Sequence, residues 1–454
     1  MSAETTADTV ETFDKKALFK IPGDTGLPFF GHTFRLLKDP ISFGRSMRQK
    51  YGDVYRTYSF FKHNVSLLGP DANEFVLMDR GKNFSNELGW SPYLERLFPR
   101  GLMLLDFDEH KAHRHIMAAA FKTAPMKGYM ERLNAAMPER IAEWGKRKSF
   151  QFYPAIKELS LDMATIVFLG LEPGPESNKI NQALTDMVSA SLGVIRVPLP
   201  GTIMRKGVKG REFMVDFLMR EIPKRRGTEG TDIFTQLVNA QDDEGNSFTD
   251  QEVVDHMIFL WMAAHDTITS SVTTLVYELG RHTDWQGKIR QEIADLGLND
   301  DSLPYEKMKD LVLTEYAFKE ALRMNPPVPA MPRMTVRDIE FKGHHIPKGT
   351  IVGVSNIMTH RDPETWPEPE HFDPMRFSPE GGARERHRFA WVPFGGGAHM
   401  CLGLHFAYMQ SKVIMAHLLP HFAIELPAGY ETDFQIMPLI KPVDGLPVTL
   451  RALD

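Results

Sequence analysis

Phe394-Gly-Gly-Gly-Ala-His-Met-Cys-Leu-Gly403 is the stretch on which the reading of this chain turns. It holds Cys401, the only cysteine in 454 residues. A helix-like run follows from 402 to about 419 and is closed by Pro420. A thiol beside a glycine-rich turn, just ahead of a helix, meets unpaired N–H groups and a partial positive charge, and both favour the thiolate. The glycines remove side-chain bulk, so the backbone can come close to a large flat ligand. Haem iron bound by such a thiolate receives electron donation that favours O–O cleavage. The alternative is a buried structural cysteine, the commoner fate of a free thiol. The peptide as a whole favours haem.

The bulk numbers narrow the rest. The chain is 42% hydrophobic and 25% charged, ordinary globular material, with a net charge of −6 that gives no sign of a nucleic-acid partner. One cysteine excludes a disulfide framework and a cysteine-based zinc site, and fits a reducing compartment. Residues 1–15 are polar and acidic without an apolar stretch, so they form neither a signal peptide nor an anchor. No run approaches the ~20 apolar residues that span a bilayer. These observations predict a soluble, cytoplasmic protein with no integral membrane segment. The 30 Phe and 25 Met either line an adaptable apolar pocket or simply fill the core.

Along the chain, residues 1–18 read as a disordered tail and 19–454 as one domain. Short strands are expected at 53–60 and 64–68 and again within 335–355, with a turn at Lys342-Gly343. Residues 107–290 are mostly helical in pattern, interrupted at 173–175, at 198–201 and at 241–247. Residues 360–393 form a long irregular segment of the kind usually kept for function. The fold class is therefore mainly α with small β-sheets.

The clearest helix starts at Thr249, where Glu252 completes a capping-box signature, and runs to about Gly280. Its stretch 257–264 is apolar all round and belongs inside the protein. His265-Asp266-Thr267 then breaks the run, which is expensive in an interior unless the groups are paired or solvated. The bland readings are a surface-facing polar patch or a Thr hydroxyl bonded back to its own helix. Glu320 and Arg323 share a helix face at i, i+3, a pairing that alone says nothing. His110, His113, Arg114 and His115 cluster on one stretch, with three readings: a solvated helix face, a histidine zinc site without an obvious third ligand, or basic groups facing haem propionates.

Taken together, these pieces resemble the cytochrome P450 family over about residues 20–450. Phe394-x-x-Gly397-x-His399-x-Cys401-x-Gly403 fits the family's haem loop position by position, with His399 where arginine is commoner. Glu320-Ala-Leu-Arg323 fits the Glu-x-x-Arg motif, and Arg376 in Phe372-Asp-Pro-Met-Arg376-Phe fits its third member. Ala263-Ala264-His265-Asp266-Thr267 fits the oxygen-activating motif, departing at Ala264, where the family most often has Gly. His110, Arg114 and Arg333 fit propionate-binding positions.

The resemblance implies a triangular-prism-shaped single domain with a long central helix over haem b (iron protoporphyrin IX). Cys401 would be the metal ligand, and Phe394, Gly395 and His399 would belong to the cofactor loop. Asp266 and Thr267 would deliver protons during O2 activation, and Glu320, Arg323 and Arg376 would be structural. The entry segment at 21–31 and the lid segment 198–207 lean toward the branch of retinoid, sterol and terpenoid hydroxylases. Pocket positions are implied at 84–105, 192–204, 260–264, 328–331 and 438–440, mostly apolar here. A lipophilic steroid-, terpenoid- or fatty-acid-like substrate follows.

Electrons would come from NAD(P)H through a reductase and a separate ferredoxin- or flavodoxin-type donor. That donor would dock on basic residues around Lys111, Arg384, Arg386, His387 and Arg388, and the enzyme itself is expected to be a monomer. Two other functions remain open. A peroxide-dependent peroxygenase could dispense with Asp266-Thr267, and a haem sensor or carrier would be marked by an appended signalling module.

Overall fold

The computed structural model describes residues 14–191, 193, 196–298 and 302–453. The architecture is organised by the central helix Asp250–Arg281. Thr249 caps it as expected: its hydroxyl accepts from the Glu252 N–H, and its own N–H donates to Glu252 Oε2 at 2.8 Å. Trp261 lies at its middle, wholly buried, with Phe168 edge-on at 6.3 Å. Around it lie Phe152–Ala164, Ile203–Arg225, Val312–Met324 and Leu404–Leu418, which share the largest apolar core with it. The breaks expected near residues 174, 200 and 244 are all loops.

A five-stranded sheet sits beside this helical body. Its order is Val54–Ser59, Lys62–Leu67, Ile351–Val354, Met331–Thr335 and Phe84–Ser85. Only the pair Lys62–Leu67 and Ile351–Val354 is parallel. This sheet carries Arg333, whose strand residue pairs with Val352. The expected turn at Lys342-Gly343 joins Ile339–Phe341 to His344–Ile346, with φ of 46° and 77°. A three-stranded sheet of Phe150–Gln151, Pro447–Ala452 and Phe422–Glu425 packs elsewhere.

Two boundaries move. Residues 15–18 are not tail: Lys15–Leu18 is a helical turn capped by Asp14, and Leu18 is fully buried against the sheet. Hydrophobic burial there outweighs the polar look of the surrounding sequence; residues 1–13 lie outside the described residues. The helix after Cys401 begins at Leu404, with Gly403 as its N-cap, so the cysteine stands three residues ahead of the first turn. Among the described residues no helix is long and apolar enough to cross a membrane.

Candidate functional site

The glycine-rich loop owes its shape to its glycines. Gly395 and Gly397 have φ of 71° and 63°, where a Cβ is strained. A Cβ on Gly397 would also overlap the Leu77 carbonyl. Its bareness thus serves an approach to the protein's own backbone, whereas the sequence had pointed to room for a ligand. The loop closes through Cys401 N–H donating to Phe394 O at 2.9 Å, and Phe394 stands 5.7 Å from the Tyr408 ring.

Cys401 is exposed. Desolvation by the surrounding protein still raises its thiol pKa, and the Gly403 N–H and the Arg114 charge act against that rise. A bound metal would settle the balance in favour of the thiolate. The central helix is open at Met262, Ala263, Ala264 and Thr267, whereas its neighbours at 253–261 and 268–279 are buried. Ala263 and Thr267 share a face at i, i+4.

Near the cysteine lie two guanidinium groups and two closely packed imidazoles, with Asp106 and Asp79 behind them. The rings of His110 and His399 are 3.8 Å apart. Arg114 and Arg333 bear on both electrostatically. Burial pushes His110 down to about 4 and His399 to about 2, and the nearby cations reinforce both shifts. Burial likewise lowers Arg333 to about 10 against the pull of Asp106 and Asp79. Arg333 donates to the Pro332 carbonyl at 2.9 Å, and Asp106 is 4.0 Å from His399 Nε2. His110 Nε2 is buried with no hydrogen-bond partner. Two guanidinium donors beside imidazole nitrogens, one of them orphaned, are the counterpart of an anionic group. An open thiol, these nitrogen donors beside it and an accessible helix face fit a haem with its propionates. The zinc reading does not fit, because His113 bonds His256 at 2.8 Å and His115 faces Asp243 at 3.3 Å instead of converging.

Asp266 sits apart from that cluster. Its Oδ1 is 3.0 Å from Lys157 Nζ and 3.1 Å from His265 Nε2, within ion-pair reach though off the hydrogen-bond line. Burial pushes its carboxyl up, but His265 and Lys157 together overcome that and hold it at about 2. Thr267 donates its hydroxyl to Ala263 O at 2.7 Å, the back-bond that the sequence had left as one reading.

Glu320 and Arg323 form a fully buried two-pronged pair at 2.7 and 2.9 Å. Arg323 also donates to His360 O at 2.8 Å and His371 O at 3.3 Å. Glu320 accepts from the Asp373 N–H at 3.0 Å, with Arg376 Nε 3.3 Å away. These bonds staple the irregular segment before the glycine loop to the helix.

Three participants escaped sequence reasoning. Lys157, on Phe152–Ala164, meets Asp266 only through helix packing, and no local pattern announces it. His360 accepts from the Val392 N–H at 2.9 Å and so ties the start of the glycine loop to Arg323. Asp106 gathers the N–H groups of Asn86 and Glu87 and places the segment over Arg333. Arg386 was expected on an exposed basic face. It spends its guanidinium on the carbonyls of Arg376 and Gly381, and His387 faces Asp71 and Glu74. The implied lid segment includes residues 192, 194 and 195, which lie outside the described residues.

Comparison with known proteins agrees with this geometry. A family model described as Cytochrome P450 matches residues 21–444. The chain is 38% identical over 439 residues to Putative cytochrome P450 136 of Mycobacterium tuberculosis, covering 95% of this chain and 88% of that one. It is 27% identical over 443 residues to abscisic acid 8'-hydroxylase 2 of Arabidopsis thaliana, covering 95% and 90%. The solved structure of retinoic acid bound cyanobacterial CYP120A1 superposes with a TM-score of 0.85 at 30% identity, covering 95% of this chain and 99% of that one. The fold is that of a haem-dependent oxidoreductase. The chain belongs to the cytochrome P450 family, and it is an O2-dependent monooxygenase that hydroxylates lipophilic small molecules.

Proposed function

We propose that Cys401 is the iron ligand of a haem b whose propionates are held by His110, Arg114, Arg333 and His399. The enzyme would hydroxylate a lipophilic carboxylic acid of retinoid or terpenoid type. The observation that carries the haem placement is the open Cys401 thiol beside a cluster of arginine and histidine nitrogens that includes the unpartnered His110 Nε2. The substrate class is supported by two relatives whose names contain such acids, retinoic and abscisic. A steroid- or fatty-acid-like substrate is the second reading, favoured by the mostly apolar pocket positions.

Haem, once bound, supplies the oxidation of a C–H bond by O2. The chain's own residues do the rest. Phe394 and the loop backbone keep Cys401 in place. Asp266, a carboxylate paired with Lys157, relays protons from solvent. Thr267 turns its hydroxyl from Ala263 O toward the open helix face and gives its proton there while taking one from solvent, a general-acid role. Glu320, Arg323 and Arg376 are structural.

Electrons come from NAD(P)H through a separate ferredoxin- or flavodoxin-type protein. Lys111, Arg384 and Arg388 remain exposed for it. The protein acts as a monomer in the cytoplasm.

The test is spectroscopic. The reduced carbon monoxide complex should absorb at the thiolate-ligated position, and Cys401→Ala should lose that band. A histidine-type spectrum in wild type would sink the assignment. A substrate screen scored by the low-to-high-spin Soret shift, with retinoic acid and matched alcohols, separates acids from neutral lipids. Turnover with peroxide alone, unaffected by loss of Asp266 and Thr267, would favour the peroxygenase.

A further inference from the structure

Two adjacent turn tips carry aromatic residues where turn chemistry asks for glycine or asparagine. Phe60-Phe61 joins Val54–Ser59 to Lys62–Leu67 with φ of 51° and 63°. Positive φ at both central residues is the two-residue hairpin turn that Asn-Gly normally supplies. Upstream, Leu27 and Gly31 bridge around Pro28-Phe29-Phe30, with Phe29 at φ 62°. Proline followed by a positive φ is a turn that favours glycine at the second position. A bulky residue in this region is an outlier, and a sequence that breaks a local rule marks function or strain.

The two tips are held side by side. Gly31 bridges to Ser59, the His32 N–H donates to Tyr58 O at 2.7 Å, and the Phe60 N–H donates to Thr33 Oγ1 at 2.8 Å. The Phe30 ring lies 6.3 Å from Phe61 and 5.2 Å from Phe34.

This strained backbone holds the rings out in water. Phe29 is 82% exposed, Phe61 69%, Leu27 61% and Phe34 57%, with Phe30 and Leu37 close to half. A contiguous exposed apolar patch marks an interaction surface. Its surroundings are basic. Residues 14–62 hold ten Lys and Arg against four Asp and no Glu, in a chain whose net charge is −6; of these, Arg56 is buried, and Arg45 and Arg48 pair with Glu370 and Asp362. Lys16, Lys20, Arg35, Lys38 and Lys62 are exposed.

We propose that this face docks the enzyme peripherally on an anionic lipid surface. The aromatic tips enter the boundary between headgroups and acyl chains, and the lysines and arginines meet the phosphates. Like charge argues against a second copy as the occupant, since two such faces would repel.

The test uses the full-length, haem-loaded protein in flotation with vesicles of phosphatidylcholine alone or mixed with phosphatidylglycerol. Wild type should float with the anionic vesicles and lose that preference at high salt. Phe29→Gly/Phe61→Gly, which suits the positive φ and so preserves the fold, should lower the bound fraction by about tenfold or more. Its thermal midpoint and carbon monoxide spectrum serve as controls. Lys38→Glu/Lys62→Glu should remove the preference for anionic vesicles.

Wild type that stays at the bottom of the gradient overturns the proposal, as does a glycine variant that floats like wild type. Equal binding to both vesicle types overturns the anionic assignment. A wild-type dimer seen by light scattering and dissolved by the glycine substitutions replaces the lipid with a second copy.

Discussion

Asp266 and Thr267 show how much a residue's role depends on its neighbours. The carboxylate is paired with Lys157 and held near 2, so at neutral pH it is charged and releases at once any proton it takes from solvent, which makes it a relay and not a store. The Thr267 hydroxyl is spent on Ala263 O, a bond inside its own helix that keeps it on the accessible face. Thr267→Ala removes the movable proton at that position while His265 and Asp266 stay in place. Haem and substrate binding should survive, while product per NAD(P)H consumed falls by roughly tenfold or more and peroxide rises to match. Product, peroxide and cofactor oxidation measured together decide this; unchanged coupling would count against the proton role.

At the scale of the element, Val312–Met324 is anchored by charge as well as by apolar contact. Glu320 and Arg323 are wholly buried, and each is satisfied several times over: by each other, by the carbonyls of His360 and His371, and by the Asp373 N–H. Removing one partner leaves an unpaired buried charge, typically worth ~3–5 kcal/mol. Glu320→Ala should therefore lower thermal stability and give protein with little haem, because the irregular segment that carries Val392 and the glycine loop loses its staple. Haem content per chain after purification is the measurement. A stable, fully loaded variant would show that the network is dispensable.

Over the whole molecule, buried titratable groups set the response to acid. His256, packed by His113 and facing Arg100, and His360, beside Arg323 and Arg361, are each pushed by burial from 6.5 to about 3. Below pH 6.5 the unfolded chain takes up protons at these sites that the folded one refuses. Their contribution is thus complete above pH 6.5 and declines by about 1.4 kcal/mol per pH unit for each as pH falls toward 3. Burial raises Glu278 from 4.5 to about 7, which works in the opposite sense: its contribution is complete below 4.5 and is lost as pH rises through 7. One carboxyl offsets one of these histidines, and His110 and His399 are shifted in the same sense as the other, so net stability should still fall between pH 6.5 and 5. Urea midpoints over that range test this, and His256→Gln should flatten the decline. A wild-type midpoint constant with pH would refute it.

The sequence by itself determined the family, the glycine loop around Cys401, the capped central helix and the short strands, because each rests on local chemistry: turn glycines, caps, apolar periodicity and a motif at fixed spacing. It also brought His110, Arg114, Arg333 and His399 together through family resemblance. Only the tertiary structure decided their electrostatics, since their burial and their distances from Asp106 and Asp79 depend on distant segments. Lys157 opposite Asp266 and His360 beneath Val392 were illegible for the same reason: each contact joins residues separated by 30 or more positions. The outward-facing Phe29 and Phe61 were invisible too, because composition counts a phenylalanine without saying which way a strained turn points it.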